Sequence, residues 1–198
     1  MKKVTKANSI KMLLSFAFIL LMLTSSCTQS GNNSGTEKNE AAKVAVEKPK
    51  IDIPTAVVSG NLEVVRQHIK AGSDIDMKDQ MTGSTPLITA VTFGKTELAK
   101  ALIDANADLS LKNNDGSTAL HVAAFFCRIE IVQMLIDAKA DKSILNNYGA
   151  TPRQSVMGSF EEMKPVYEML QQQLEPFGLK IDLNEVEKSR PVVAMMLQ

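Results

Sequence analysis

The sequence predicts an all-α solenoid of about four helix-turn-helix repeats, joined by hairpin-like loops and closed by a C-terminal cap. Three recurrences predict it. Gly83-Ser84-Thr85-Pro86-Leu87 returns as Gly116-Ser117-Thr118-Ala119-Leu120 and as Gly149-Ala150-Thr151-Pro152-Arg153, with the threonines 33 residues apart both times. Ala71-Gly72-Ser73-Asp74, Ala105-Asn106-Ala107-Asp108 and Ala138-Lys139-Ala140-Asp141 form a second series, spaced 34 and then 33 residues. The apolar pairs Val64-Val65, Leu98-Ala99 and Ile131-Val132 form a third, at the same offsets. A fixed period of this length marks a stack of units, none of which buries its apolar face alone. The one extra residue in the first interval is expected near Met81-Thr82.

Composition agrees. Of 198 residues 44% are hydrophobic and 22% charged, enough for a packed core and too apolar for wholesale disorder. Lys+Arg and Asp+Glu are both 22, so the chain has no general excess of basic charge for nucleic acid. Two His and two Cys leave little for a metal cluster or a disulfide framework, and no cofactor is expected.

The chain divides into residues 1–27, 28–50, 51–175 and 176–198. Lys2, Lys3, Lys6 and Lys11 precede the apolar run 12–23, MLLSFAFILLML. Twelve helical residues reach about 18 Å, short of the roughly 30 Å core of a bilayer, so the run reads as a secretory signal rather than a span. Its end, Leu23-Thr24-Ser25-Ser26-Cys27, resembles the lipobox of bacterial lipoproteins, with Thr24 where an aliphatic residue is usual. The resemblance implies a diacylglycerol on Cys27 and cleavage before it. Thr28 in the next position resembles the enteric pattern for the periplasmic face of the outer membrane. A plain signal peptide or short anchor is the alternative. Residues 28–50 are rich in Ser, Asn, Gly, Lys and Glu without apolar periodicity, which suits a disordered tether. Without residues 1–27 the chain has 18 basic and 22 acidic residues, a net charge of −4.

Within 51–175 each unit begins at a helix start. Thr before Pro, as in Thr85-Pro86, caps with its hydroxyl and places the ring in the first turn. Leu98, Ala101 and Leu102 make one apolar stripe on the second helix of its unit. Gly72 and Asn106 suit a left-handed helix stop, and Lys139 suits it less well. Residues 74–84, 108–117 and 141–150 are then the projecting loops. The first unit, from Ile53, is expected to begin inside its first helix. The fourth has Gln154 in the slot of His121 and two extra residues around Lys164-Pro165. Pro176 ends its last helix. Phe177, Leu179, Ile181, Leu183 and Val186 are expected to cover the open end, with 192–198 packing beneath the last unit.

These signatures resemble the ankyrin repeat, over about residues 53–170. Asn114-Asp115-Gly116-Ser117-Thr118-Ala119-Leu120-His121-Val122-Ala123-Ala124 is the closest unit, and Cys127 departs from the family by replacing a Gly. The resemblance implies that His121 bonds backbone between repeats and that partners bind on a concave face of loop tips and inner-helix ends. Carried over, those slots include Met81, Asp115 and Tyr148 at the tips, and Phe93, Phe125 and Phe126 at the helix ends. Exposed aromatics in a groove are common binding anchors. Phe125 and Phe126 are each equally open to packing between repeats.

Motifs for catalysis are not found. His121 and Cys127 are six residues apart, beyond one helical turn, and do not make a dyad. His68 is expected to be exposed or capping, without an obvious partner. Counting Asp74 as the first residue of a calcium loop places Asp79 and Thr85 where Gly and Glu are required, so Asp74, Asp76 and Asp79 read as solvated loop acids. No Gly-Lys-Ser/Thr follows the Gly-Ser-Thr stretches, so they are not phosphate loops. The expectation is a non-catalytic protein-binding module, monomeric, lipid-anchored in the bacterial cell envelope, with no nucleic-acid partner. An inhibitor or immunity protein for an exported enzyme or toxin is an alternative. An enzyme is the alternative of another class.

Overall fold

The computed structural model describes residues 48–198. The expected signal peptide, Cys27 and all of the tether before residue 48 lie outside the described residues. Within them there are eight α-helices and two short 3-10 turns, with no strand. No described helix is long and apolar enough to cross a membrane.

Four helix starts, 33 residues apart, set the period. Asp52 caps α1 (Ile53–Ser59), accepting from Thr55 N at 2.8 Å. Thr85 caps α3 (Pro86–Thr92), accepting from Ile88 N at 3.2 Å. Thr118 opens α5 (Ala119–Phe125) in a capping box with His121, and Thr151 opens a 3-10 turn, Gln154–Val156. In that last start the Gln154 side chain accepts from Thr151 N at 2.8 Å, the same reach-back that His121 makes one unit earlier. The first unit therefore begins at a capped helix start and has a full seven-residue helix, contrary to the expectation that it begins inside that helix.

The second helices, α2 (Leu62–Lys70), α4 (Thr96–Asp104) and α6 (Ile129–Asp137), are nine residues each. Each first helix turns back at a residue with left-handed backbone: Gly60, Gly94 and Cys127, at φ +76°, +61° and +51°. Each second helix is followed by another: Gly72, Asn106 and Lys139, at φ +66°, +61° and +62°. A non-Gly residue there bears a steric cost, so the fold imposes this conformation on Cys127 and Lys139.

First helices pack on first helices and second on second. Small buried residues run down the stack in columns: Val57, Ala90, Ala123 and Val156 on the inner layer, and Val65, Ala99, Val132 and Val193 on the outer. Val193 belongs to α8 (Leu183–Met196), 61 residues after Val132 rather than 33. So the fourth outer position is taken by the C-terminal helix, which packs on α6 and on the 3-10 turn. The 28 surplus residues hold α7 (Phe160–Leu174) and a second 3-10 turn, Glu175–Phe177. Residues 192–198 pack as expected, with Val193 and Leu197 buried, while Phe177 stays exposed.

His68 falls in the column of Leu102 and Leu135 and is buried, contrary to the expected exposure. Ser73 Oγ lies 2.9 Å from its Nδ1 and the Ile51 carbonyl 2.7 Å from its Nε2. A polar ring in a core slot is tolerated because both nitrogens are bonded.

The packing can be tested by melting. Leu135, fully buried, changed to Ala is expected to cost about 2–5 kcal/mol by denaturant melting, because the stack closes poorly around the missing atoms. Lys139→Gly, at an exposed left-handed position, is expected to add about 0.5–1 kcal/mol and raise the melting temperature.

Candidate functional site

The three loops are built alike. The side chains of Asp79, Asn113 and Asn146 each accept from backbone N–H groups further along their own loop. Asn113 Oδ1 takes Asp115 N at 3.0 Å and Ser117 N at 2.9 Å, and Asn146 Oδ1 takes Tyr148 N at 3.0 Å and Ala150 N at 3.1 Å. Asp79 takes Met81 N, Thr82 N and Ser84 N, and also the Thr82 hydroxyl. The extra bond and the longer reach accommodate the inserted residue beside Met81-Thr82. Burial raises the Asp79 pKa, but these hydrogen bonds outweigh it and hold the carboxyl below its ordinary value. Asp79 is a loop organiser rather than a solvated acid. Asp76 is structural as well. Its carboxylate accepts from Asp108 N, at 3.0 and 3.2 Å, across the repeat boundary. Burial first, then the charges of Asp108 and Asp74, push its pKa up.

Successive loops are tied tip to tip. Asn114 N donates to Thr82 O at 2.9 Å and its side-chain amide to Met81 O at 2.8 Å. Asn147 N donates to Asp115 O at 2.9 Å and its amide to Asn114 O at 2.9 Å. The ladder requires Gly83 and Gly116: a Cβ on either would stand 2.4 Å from the Oδ1 of Asn114 or Asn147. Met81, Asp115 and Tyr148 thus come from consecutive rungs of one edge. Met81 is 61% exposed. The Tyr148 hydroxyl donates to Asp115 Oδ1 at 3.3 Å, and both residues are half-buried.

The helix-end residues behave differently. Phe93, following α3, is half-buried. Phe125 and Phe126 are only 9% and 7% exposed, so neither is available as a groove anchor in this structure. Helix α7 covers Phe125. Its Tyr167 lies against the Phe125 ring, centroids 4.7 Å apart, and donates its hydroxyl to Phe125 O at 2.7 Å. Phe126 meets Phe125 edge-on at 4.9 Å, with the Arg128 guanidinium 5.8 Å from its ring centre. Sequence reading missed Tyr167, Arg128 and Arg190 here. The buried stripe Val166, Tyr167 and Leu170 was a visible sign of a packed α7, but nothing local identified Phe125 as its target.

The groups with catalytic potential are committed elsewhere. His121 Nδ1 lies 3.2 Å from Thr118 N and 2.9 Å from its hydroxyl, while Nε2 lies 3.0 Å from Ala150 O in the next repeat. The carbonyl acceptor places the proton on Nε2. Burial lowers the pKa of the ring and keeps it neutral. Cys127 is half-buried, and burial pushes its thiol up to about 11, away from the reactive thiolate. Among the described residues no three His, Cys, Asp or Glu side chains are grouped as a metal ion would require.

Comparison with known proteins agrees with this geometry. Residues 55–146 match the family model for ankyrin repeats, in 3 copies. Protein phosphatase 1 regulatory subunit 27 is 46% identical in Mus musculus and 44% identical in Homo sapiens, each over 61 residues. Those matches cover 31% of this chain and 39% of the relatives' own length. The crystal structure of the ankyrin repeat domain of Bcl-3, of the IkappaB family, superposes with a TM-score of 0.51 at 28% identity, covering 58% of this chain and 50% of that one. The fold is the ankyrin-repeat fold.

The buried His121 predicts a pH dependence. Its folded pKa lies below the ordinary 6.5, so its contribution to stability is complete above that value and is lost as pH falls through the lower folded value. Melting temperature measured from pH 7.5 downward is expected to fall in this window. His121→Gln, which copies the arrangement at Gln154, is expected to flatten the fall.

Proposed function

We propose that this ankyrin-repeat domain is a non-catalytic, monomeric protein-binding module whose partner lies along the loop-tip edge and the open part of the concave face. Ankyrin repeats mediate protein–protein interaction. The observation that carries the reading to this surface is the ladder of loop tips. Its backbone groups are satisfied internally, so Met81 and its neighbours present side chains on a rigid edge at little entropic cost. The regulatory-subunit name of the mammalian relatives supports a binding rather than catalytic part. Burial of Phe125 and Phe126 shifts the proposed surface toward Met81, Phe93, Asp115 and Tyr148. We further propose that Cys27 carries a lipid and holds the domain in the bacterial cell envelope, at the periplasmic face of the outer membrane.

Affinity capture from membranes with mass spectrometry identifies the partner, and calorimetry then tests the surface. Met81→Ala and Tyr148→Ala are each expected to weaken binding by more than about 1 kcal/mol. Lys100→Glu and Gln133→Glu, on the exposed outer helices, are expected to leave it unchanged. The opposite pattern places the partner elsewhere. For the anchor, the chain is expected to incorporate labelled palmitate, and Cys27→Ser to accumulate as uncleaved precursor. Normal processing of that variant rejects the lipid attachment.

A further inference from the structure

The interrupted fourth repeat leaves a feature that the concave face does not use. Because α7 is inserted between the 3-10 turn at Gln154–Val156 and α8, the two halves of that repeat are bridged by an open cleft of about 320 Å³. Val156, Met157, Phe160, Pro191 and Ala194 supply apolar walls. Its charged lining comes from Arg190 and Glu187.

Arg190 is 5% exposed. Nη1 donates to the Tyr167 hydroxyl at 3.1 Å and Nη2 to the Gly158 carbonyl at 2.8 Å. Both acceptors are neutral. Among the described residues no carboxylate comes within ion-pairing distance of the guanidinium, the salt bridge present being Lys100–Asp104. A guanidinium has five N–H donors, and a buried cation without a counter-ion is costly. Arg190 Nε, which makes neither of these bonds, is not sealed in the interior: among the described residues the buried side-chain nitrogen left without a partner is Arg128 Nε. Nε of Arg190 retains access to solvent, in a residue that forms part of the cleft wall.

A ligand suited to this cleft has a carboxylate for the guanidinium and a bulky apolar group on an adjacent atom for the walls. An Asp or Glu side chain has the first without the second. The last residue of a polypeptide, when apolar, has both on one Cα. We propose that the cleft between the 3-10 turn and α8 binds the free C-terminus of a partner chain that ends in an apolar residue, with Arg190 meeting its carboxylate. The exposed Glu187 carboxylate, also in the lining, opposes the incoming charge and sets an upper limit to affinity.

The test is a titration of the full chain with N-acetyl-leucine, followed through the methyl signals of Met157 and Ala194. Saturable shifts are expected, with N-acetyl-leucinamide weaker by about tenfold because it lacks the charge. Glu187→Gln is expected to tighten binding of the acid. Arg190→Met is expected to abolish it, and since Arg190 also holds Tyr167, a second variant separates binding from folding. Met157→Glu, at a residue 56% exposed, adds a carboxylate to the lining and is expected to abolish binding while Met157→Gln retains it. Equal binding of acid and amide reduces the cleft to an apolar surface and overturns the proposal. So does the absence of saturable shifts, or unchanged binding in Met157→Glu.

Discussion

No unit of this chain can bury its apolar face alone, and the rest of the architecture depends on that constraint. Two short helices enclose only a few apolar side chains, so each unit must lend a face to the next. Close stacking needs small residues at fixed intervals, which the inner column Val57, Ala90, Ala123 and Val156 and the outer column Val65, Ala99, Val132 and Val193 provide. The left-handed stops at Gly60, Gly94 and Cys127 then turn the chain back at the same place in each unit. Regularity matters more here than the best residue at any one site, which is why Cys127 and Lys139 adopt a backbone that glycine adopts more readily.

Loop order follows from the same period. Lys78 Nζ donates to Lys112 O at 2.6 Å and Lys112 Nζ to Leu145 O at 2.9 Å, so neighbouring loops are joined at their bases as well as at their tips. At the end of the series Lys142 Nζ reaches Gln198 O at 2.6 Å, joining the third loop to the end of α8. The loops therefore form a continuous edge whose internal polar groups are largely bonded to one another. That rigidity makes the edge a suitable recognition surface, since little freedom remains to be lost when a partner binds.

Helix α7 covers the end of α5 at Phe125. Tyr167, held between the Phe125 carbonyl and Arg190, is buried, and burial pushes its hydroxyl up to about 12, so it stays protonated and bridges the two. Phe125, Phe126, Tyr167 and Phe160 form one aromatic series that closes the third repeat. The interruption thus covers Phe125, and it also leaves an apolar cleft with a buried cation at the far end of the stack.

The sequence by itself determined the period, the helix starts at Thr85, Thr118 and Thr151, the stops at Gly72, Asn106 and Lys139, the loop positions and the inserted residue near Met81. All of these are local: a capping hydroxyl, a left-handed glycine or an apolar stripe acts within one or two turns. His121 was legible through the family resemblance, which implied its bond to backbone in the next repeat, at Ala150; its bond to Thr118 came from the structure. Tertiary structure decided what lay further apart. The pattern Val192-Val193-x-x-Met196-Leu197 repeats the spacing of Ile131-Val132-x-x-Leu135-Ile136, but a 28-residue interruption hides that relation from a search at 33. His68 was misplaced because its core column is defined by Leu102 and Leu135, in other repeats. Phe125 and Phe126 were open to groove or core on sequence alone. Tyr167, 42 residues beyond Phe125, covers Phe125, which in turn packs on Phe126, and contacts over that separation leave no periodic trace in the chain.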